Sequence, residues 1–306
     1  MTEIATDISF LEDNVHQYNY KQEGPKNSQL WSARYVLFLE EVSCVFDGFK
    51  ALDIQALGIG HNELRVVVGP NGAGKTTMCD VISGLTKPTT GRVYFAGEDI
   101  SRLTDTQRAK HGIGRKFQIP NVFDSLTVWE NMLLALPNPS LEIGTPAWMA
   151  ERRKHTHVNG VATIGLIKLT SILQNMGGRP SGENADKIAA ILKRVRLYDD
   201  LHKQARNLSH GQRQWLAISK LVLSSPKLLL VDEPAAGLTD RETELTAELL
   251  LELKGSHTII VIEHDMEFVR RLDSRVTVLD NGKVLAEGTL DEISANEDVR
   301  EAYLGR

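Results

Sequence analysis

The spacing of apolar residues changes several times along this chain. Up to about residue 34, Asn, Gln, Asp and Glu recur without a clear period, which predicts a polar tail over 1–34 in which Phe10 and Leu11 are available for docking. From Tyr35 the pattern tightens. "YVLFLEEVSCVF" reads as a strand, "ELRVVVG" as a short buried strand bounded by glycine, and "GRVYFAGEDI" as a strand and turn. Helical spacing dominates from Thr104 to Leu223. Within it, Pro, Gly, Ser and Asn clusters predict a loop-rich insertion at about 138–185. Strand signals then return in "KLLLVDEP", "HTIIVIEH" and "RVTVLDNGKVLAEG". Asn281-Gly282 lies between two alternating runs, as in a hairpin turn, and Thr289 with Glu292 has capping-box spacing for a last helix. Apolar strands alternating with helices predict an α/β fold with a mostly parallel sheet. The strand-rich start predicts an antiparallel β layer beside it.

Composition narrows the function classes. The 306 residues can bury a substantial core, and 42% hydrophobic with 25% charged residues is ordinary globular usage. A net charge of −5 argues against a general nucleic-acid binder, which is usually basic. Cys44 and Cys79 have no metal-ligand spacing and fit a reducing compartment. No apolar run approaches the roughly 20 residues that span a bilayer, and the polar, acidic start does not read as a secretory signal. Any membrane role is therefore expected to act through a partner.

The chemistry starts at "GPNGAGKTT", from Gly69, which matches G-x-x-x-x-G-K-[ST] between a predicted strand and a predicted helix. Glycines let the chain curl so that successive N–H groups face a phosphate, and the helix N-terminus adds partial positive charge. Lys75 is placed to reach the β- and γ-phosphates, and the Thr76 hydroxyl to ligate Mg²⁺. Asp232 closes the apolar strand "LLLVDEP" as a metal-binding carboxylate, and Glu233 follows it as a candidate base for an attacking water. His264 ends "TIIVIE", and strand C-termini of open α/β sheets converge on the ligand crevice. Gln118 in "RKFQIP" is a candidate sensor of metal and water.

"LSHGQRQWLAI", from Leu208, stands between the phosphate loop and Asp232. As a helix N-cap it accounts for Ser209 but not for the Gly-Gln pair after it. Taken with the other motifs in their order, "LSHGQ" resembles the Leu-Ser-Gly-Gly-Gln signature of the ATP-binding cassette (ABC) family, over roughly residues 35–306. That resemblance implies a P-loop ATPase domain with a RecA-like core, an antiparallel β layer and a helical subdomain at about 118–220. It implies that Phe46 stacks on adenine and that Gly69, Asn71, Gly72, Gly74, Lys75, Thr76 and Thr77 form Walker A. It makes Gln118 the Q-loop residue, Asp232 the Walker B aspartate, Glu233 the catalytic carboxylate and His264 the switch histidine. Thr76, Gln118 and Asp232 are the implied metal positions. Ser209, Gly211 and Gln212 would act on an ATP held by a second cassette chain.

The family also implies integral-membrane permease partners, an indirect solute-binding protein and a peripheral position on the cytoplasmic face of the membrane. Two positions depart from the usual pattern: His210 replaces the first signature glycine, and Thr239 stands where the D-loop commonly has aspartate. With Lys116 and Asp240, these departures resemble urea-importer ATPases, and this is the expected cargo. The alternatives are the similar branched-chain amino-acid importers or a soluble cassette ATPase that drives complex assembly.

Overall fold

Strands β1 (Tyr35–Phe46) and β2 (Phe49–Gly60) form a long antiparallel hairpin. β3 (Leu64–Val68) leads through the phosphate loop into α1 (Lys75–Ser83). β4 (Thr90–Phe95) and β5 (Glu98–Asp99) return to the hairpin, and α2 (Asp105–His111) precedes β6 (Ile113–Lys116). Among the described residues, three α-helices follow: α3 (Val128–Leu133), α4 (Gly182–Arg194) and α5 (His210–Leu223). Then come β7 (Leu228–Asp232), α6 (Asp240–Leu253), β8 (Thr258–Ile262), α7 (Met266–Leu272) and the hairpin β9 (Arg275–Asp280)–β10 (Lys283–Gly288). α8 (Leu290–Ala295) and α9 (Glu297–Leu304) complete the order. This computed structural model describes residues 34–116, 122–136 and 182–304. The expected tail, most of the loop-rich insertion and Gln118 therefore lie outside the described residues.

Two sheets carry these strands. The first is antiparallel, in the order β2-β1-β4-β5. The second runs β10-β9-β3-β8-β7-β6 and is parallel from β9 to β6. Alternation along its strands explains their continuous apolar composition, because both faces are covered. Val67, Leu228, Leu230, Ile260 and Ile262 face a core shared with the antiparallel sheet and α1. Val66, Val68, Leu229, Val231, Ile259 and Val261 face the other core, which includes residues of α3–α7.

The sequence reading missed β2 and β6. β2 carries Lys50, Asp53 and Gln55 among its apolar positions, so its half-buried face does not stand out. β6 is four residues long, ends in two cations and pairs with a distant strand, β7, inside a region of helical spacing. The Asn281-Gly282 turn is present, with both residues at positive φ (46° and 77°). Thr289 caps α8 with Glu292 as expected, and α9 follows as a further helix.

Candidate functional site

The parallel register lines up the C-terminal ends of the central strands. Val67 pairs with Ile262, Ile262 with Asp232, and Lys116 with Val231. The segments that leave these ends, from Gly69, Glu233 and Glu263, therefore start along one edge of the sheet, the usual ligand edge of an open α/β fold.

The phosphate loop is held from both sides. Gly282 N–H donates to the Ala73 carbonyl at 3.0 Å, and Asp53 N–H donates to the Gly282 carbonyl at 2.7 Å. Gly74 has φ +96°, and a Cβ there would lie 2.6 Å from the Ala51 carbonyl oxygen, so only glycine fits this close approach. The buried Arg108 guanidinium donates to the carbonyls of Val81 and Ile82, which fixes the far end of α1. A cation is also favourable at a helix C-terminus. Lys75 Nζ donates to the carbonyls of Gly69 (2.7 Å) and Pro70 (3.0 Å). Burial lowers the Lys75 pKa, and the carboxylates of Glu233 and Asp232 oppose that shift. Phe46, at the tip of the β1–β2 hairpin, is 47% exposed and is not a core residue.

Asp232 ends β7 with Arg115 Nη2 at 3.8 Å; the other nitrogen, Nη1, of that guanidinium binds Asp80 on α1. Burial raises the Asp232 carboxyl pKa; the Arg115 charge lowers it, and Glu233 raises it further. Lys116 is 3% exposed and donates to the Asp232 carbonyl at 3.3 Å. Glu233 adopts φ +45°, a sparsely populated conformation for a residue other than glycine, with its N–H bonded to the Ile262 carbonyl at 3.0 Å. That conformation places Glu233 Oε1 3.7 Å from Nδ1 of His264, whose side chain is 67% exposed.

The "LSHGQ" segment has a fuller structural explanation than a simple N-cap. Ser209 caps α5, and its Oγ accepts the Gln212 N–H at 3.1 Å. The Gln212 side chain accepts the Ser209 N–H at 3.0 Å, so the glutamine is the second half of a capping box. A Cβ at Gly211 would lie 2.5 Å from Glu242 Oε1, so that position is crowded as well. Both residues left over by the single N-cap reading thus have structural reasons to be there: Gln212 closes the box and Gly211 makes room for Glu242. Glu242 belongs to another box, capped by Thr239 at the start of α6. His210 packs toward Gly237, where a Cβ would lie 3.7 Å from the ring.

Arg108, Arg115, Glu242 and Glu263 escaped the sequence reading. Arg108, Arg115 and Glu263 are single charges whose burial and distant partners set them apart, while Glu242 carries a local signal, the i,i+3 capping-box spacing from Thr239. Among the described residues there is no group of three or more His, Cys, Asp and Glu suited to hold a metal, and no helix is long and apolar enough to cross a membrane.

Comparison with known proteins agrees with the fold. Residues 52–236 match the family described as ABC transporter, and residues 283–306 match the one described as branched-chain amino acid ATP-binding cassette transporter. The high-affinity branched-chain amino acid transport ATP-binding protein LivG of Salmonella typhimurium is 35% identical over 262 residues, covering 85% of this chain and 94% of the relative. The crystal structure of a nucleotide-free ATP-binding cassette from an ABC transporter superposes with a TM-score of 0.69 at 28% identity, over 89% of this chain and 99% of that one. A dimeric ATP-binding cassette in a post-hydrolysis state, bound to ADP and Pi, gives a TM-score of 0.61 at 28% identity, over 83% and 98%.

Proposed function

The chain belongs to the ABC transporter family as an ATP-binding, ATP-hydrolysing subunit, and on that premise we propose that it powers import of branched-chain amino acids. The observation that carries the cargo is the similarity to LivG, which spans 94% of that relative, together with the C-terminal match at 283–306. The urea expectation rested on Lys116, His210 and Thr239-Asp240. No relative named above is a urea transporter, so the branched-chain alternative replaces it.

In this reading the Walker A N–H groups from Gly69 to Thr77 cradle the phosphates, and Lys75 leaves the carbonyls of Gly69 and Pro70 for phosphate oxygens. Phe46 stacks on adenine from the hairpin tip. Glu233 orients a water toward the γ-phosphate and takes up its proton, and His264, 3.7 Å away, holds the same reacting group from the next strand. Ser209, Gly211 and Gln212 serve the ATP of a second cassette chain, with the N-terminus of α5 aimed at its γ-phosphate. Gln118 is assigned the water-sensing role by family position.

The oxygen donors fit Mg²⁺, which takes few protein ligands and completes its shell with water and phosphate. Thr76 and Asp232 would hold it, together with Gln118. The Asp232 carboxyl, raised by burial and by neighbouring Glu233, gains from a cation there. The metal would neutralise charge on the β- and γ-phosphates. The partners follow from the same reading: permease subunits in the membrane, a second cassette and, indirectly, a solute-binding protein, with this chain on the cytoplasmic face.

The test is uptake into vesicles that hold the chain with its co-purified permeases. ATP-dependent accumulation of labelled leucine, with none of labelled urea, is the expected result; urea uptake without leucine uptake would reject the assignment.

A further inference from the structure

Glu263 has no part in the roles assigned above, yet it is 1% exposed and lies directly beside them. One carboxylate oxygen accepts the Ala235 N–H at 2.9 Å, and the other accepts the His264 N–H at 3.1 Å. These donors sit on separate segments: one follows Glu233 and the other follows β8. A buried carboxylate is costly unless both oxygens are satisfied. Its two acceptors suit two converging N–H groups, whereas an amide offers one acceptor and turns an N–H donor against the other. Positive charge lies close by, because Lys116 is itself buried against the Asp232 carbonyl and is influenced by Glu263. Burial pushes the Glu263 pKa up, and the N–H groups of Ala235, His264 and Asp265 pull it down.

We propose that Glu263 is a positioning residue for hydrolysis: its carboxylate bridges Ala235 and His264 and so fixes His264 against Glu233. The proposal rests on the reading that Glu233 and His264 act together on the γ-phosphate. It implies that losing the bridge disturbs turnover more than nucleotide binding, since Walker A holds the phosphates independently.

The test compares Glu263→Gln, His264→Ala and the double variant with wild type. Hydrogen exchange of the nucleotide-free protein reads the bridge directly. In Glu263→Gln the amide of Ala235 or of His264, whichever faces the new NH₂, should exchange about tenfold faster, while the interior of β8 stays protected. Affinity for a fluorescent ATP analogue should stay within about threefold, and kcat should fall about tenfold or more. In the His264→Ala background the Glu263→Gln change should add nothing further. Unchanged exchange, wild-type kcat, an equal kcat loss in both backgrounds, or parallel losses of affinity and kcat would each overturn the proposal. Wild-type turnover in His264→Ala would instead overturn the underlying role of His264, and the positioning role with it, even where exchange still reports the bridge. If Glu263→Gln does not fold, Glu263→Asp keeps both oxygens on a shorter arm. It should then show intermediate protection and intermediate kcat, and lost protection with wild-type kcat would overturn the proposal.

Discussion

The Ser209 hydroxyl donates a hydrogen bond to Glu242 Oε1 at 2.8 Å, joining the start of α5 to the start of α6 within one chain. Glu242 Oε2 at the same time accepts from the Thr239 N–H at 3.1 Å and hydroxyl at 3.0 Å. The two departures from the common family pattern, His210 and Thr239, therefore flank a single carboxylate. The Thr239 N–H is the main cause of the lowered Glu242 pKa, with the Ser209 and Thr239 hydroxyls and His210 adding to it. Glu242→Ala should lower the unfolding free energy by about 1 kcal/mol, as loss of half a capping box does. A folded-state pKa below the unfolded value stabilises the protein above the ordinary carboxylate range and loses that effect as pH falls through the folded value. Urea unfolding at pH 7 and pH 4 should therefore show a smaller difference between variant and wild type at the lower pH. An equal difference at both would contradict this account of Glu242.

Glu233→Gln keeps the side-chain shape and removes the base. ATP binding should persist while hydrolysis falls by about 10²-fold or more. Lys75→Ala should instead weaken nucleotide binding itself, because it takes a charge from the phosphate cradle. Paired measurements of ATP affinity and steady-state turnover separate the two, and wild-type turnover in Glu233→Gln would remove Glu233 from the chemistry.

Phe46 is exposed at a hairpin tip, so Phe46→Ala should leave the melting temperature unchanged. Base stacking worth about 1 kcal/mol corresponds to roughly a fivefold loss of ATP affinity. Because stacking tolerates many bases, GTP should compete with ATP. Unchanged affinity in Phe46→Ala would show that the base lies elsewhere.

What could be read from the sequence was local. The phosphate loop, the Asn281-Gly282 turn and the Thr289 cap each announce themselves within a few residues, because turn and cap chemistry depends on near neighbours. The runs around Val67, Leu230 and Ile260 read as buried strands because both faces of the sheet are covered. Contacts between distant segments could not be read in this way. Gly211 is crowded by a carboxylate 31 positions along the chain, whereas the Ser209–Gln212 capping box is a local i,i+3 signature of the same kind as Thr289 with Glu292. Lys116 reads as a family variation, but the fold buries it beside β7, against the Asp232 carbonyl.

Burial pushes the Lys116 pKa down from 10.5 to about 8, and the charges of Asp232, Glu263 and Glu233 only partly offset this. Below pH 8 the amine is protonated in both folded and unfolded chains, so the folded state carries the full penalty of a buried charge. Between pH 8 and 10.5 the folded chain releases its proton first, and the penalty fades as pH rises. Relative to Lys116→Met, the nucleotide-free wild type should gain up to about 3 kcal/mol of stability across that window. Denaturant unfolding of both proteins at pH 7 and pH 10 measures it, and a pH-independent difference would contradict the burial argument.

In the proposed pair of chains, Ser209 of one chain and Glu233 of the other complete one ATP site. Ser209→Arg puts a bulky cation in place of the small hydroxyl, and Glu233→Gln removes the base, so each variant alone should be inactive in a self-associating preparation. Mixing them creates a pair with one intact site: the Ser209→Arg chain supplies Walker A and Glu233, and the Glu233→Gln chain supplies the signature. The other site carries both defects. ATP hydrolysis by the mixture, measured beside wild type mixed with either variant, tests this directly. The account predicts recovered hydrolysis in the mixture; activity in the wild-type mixtures with none in the mixture of variants would contradict it.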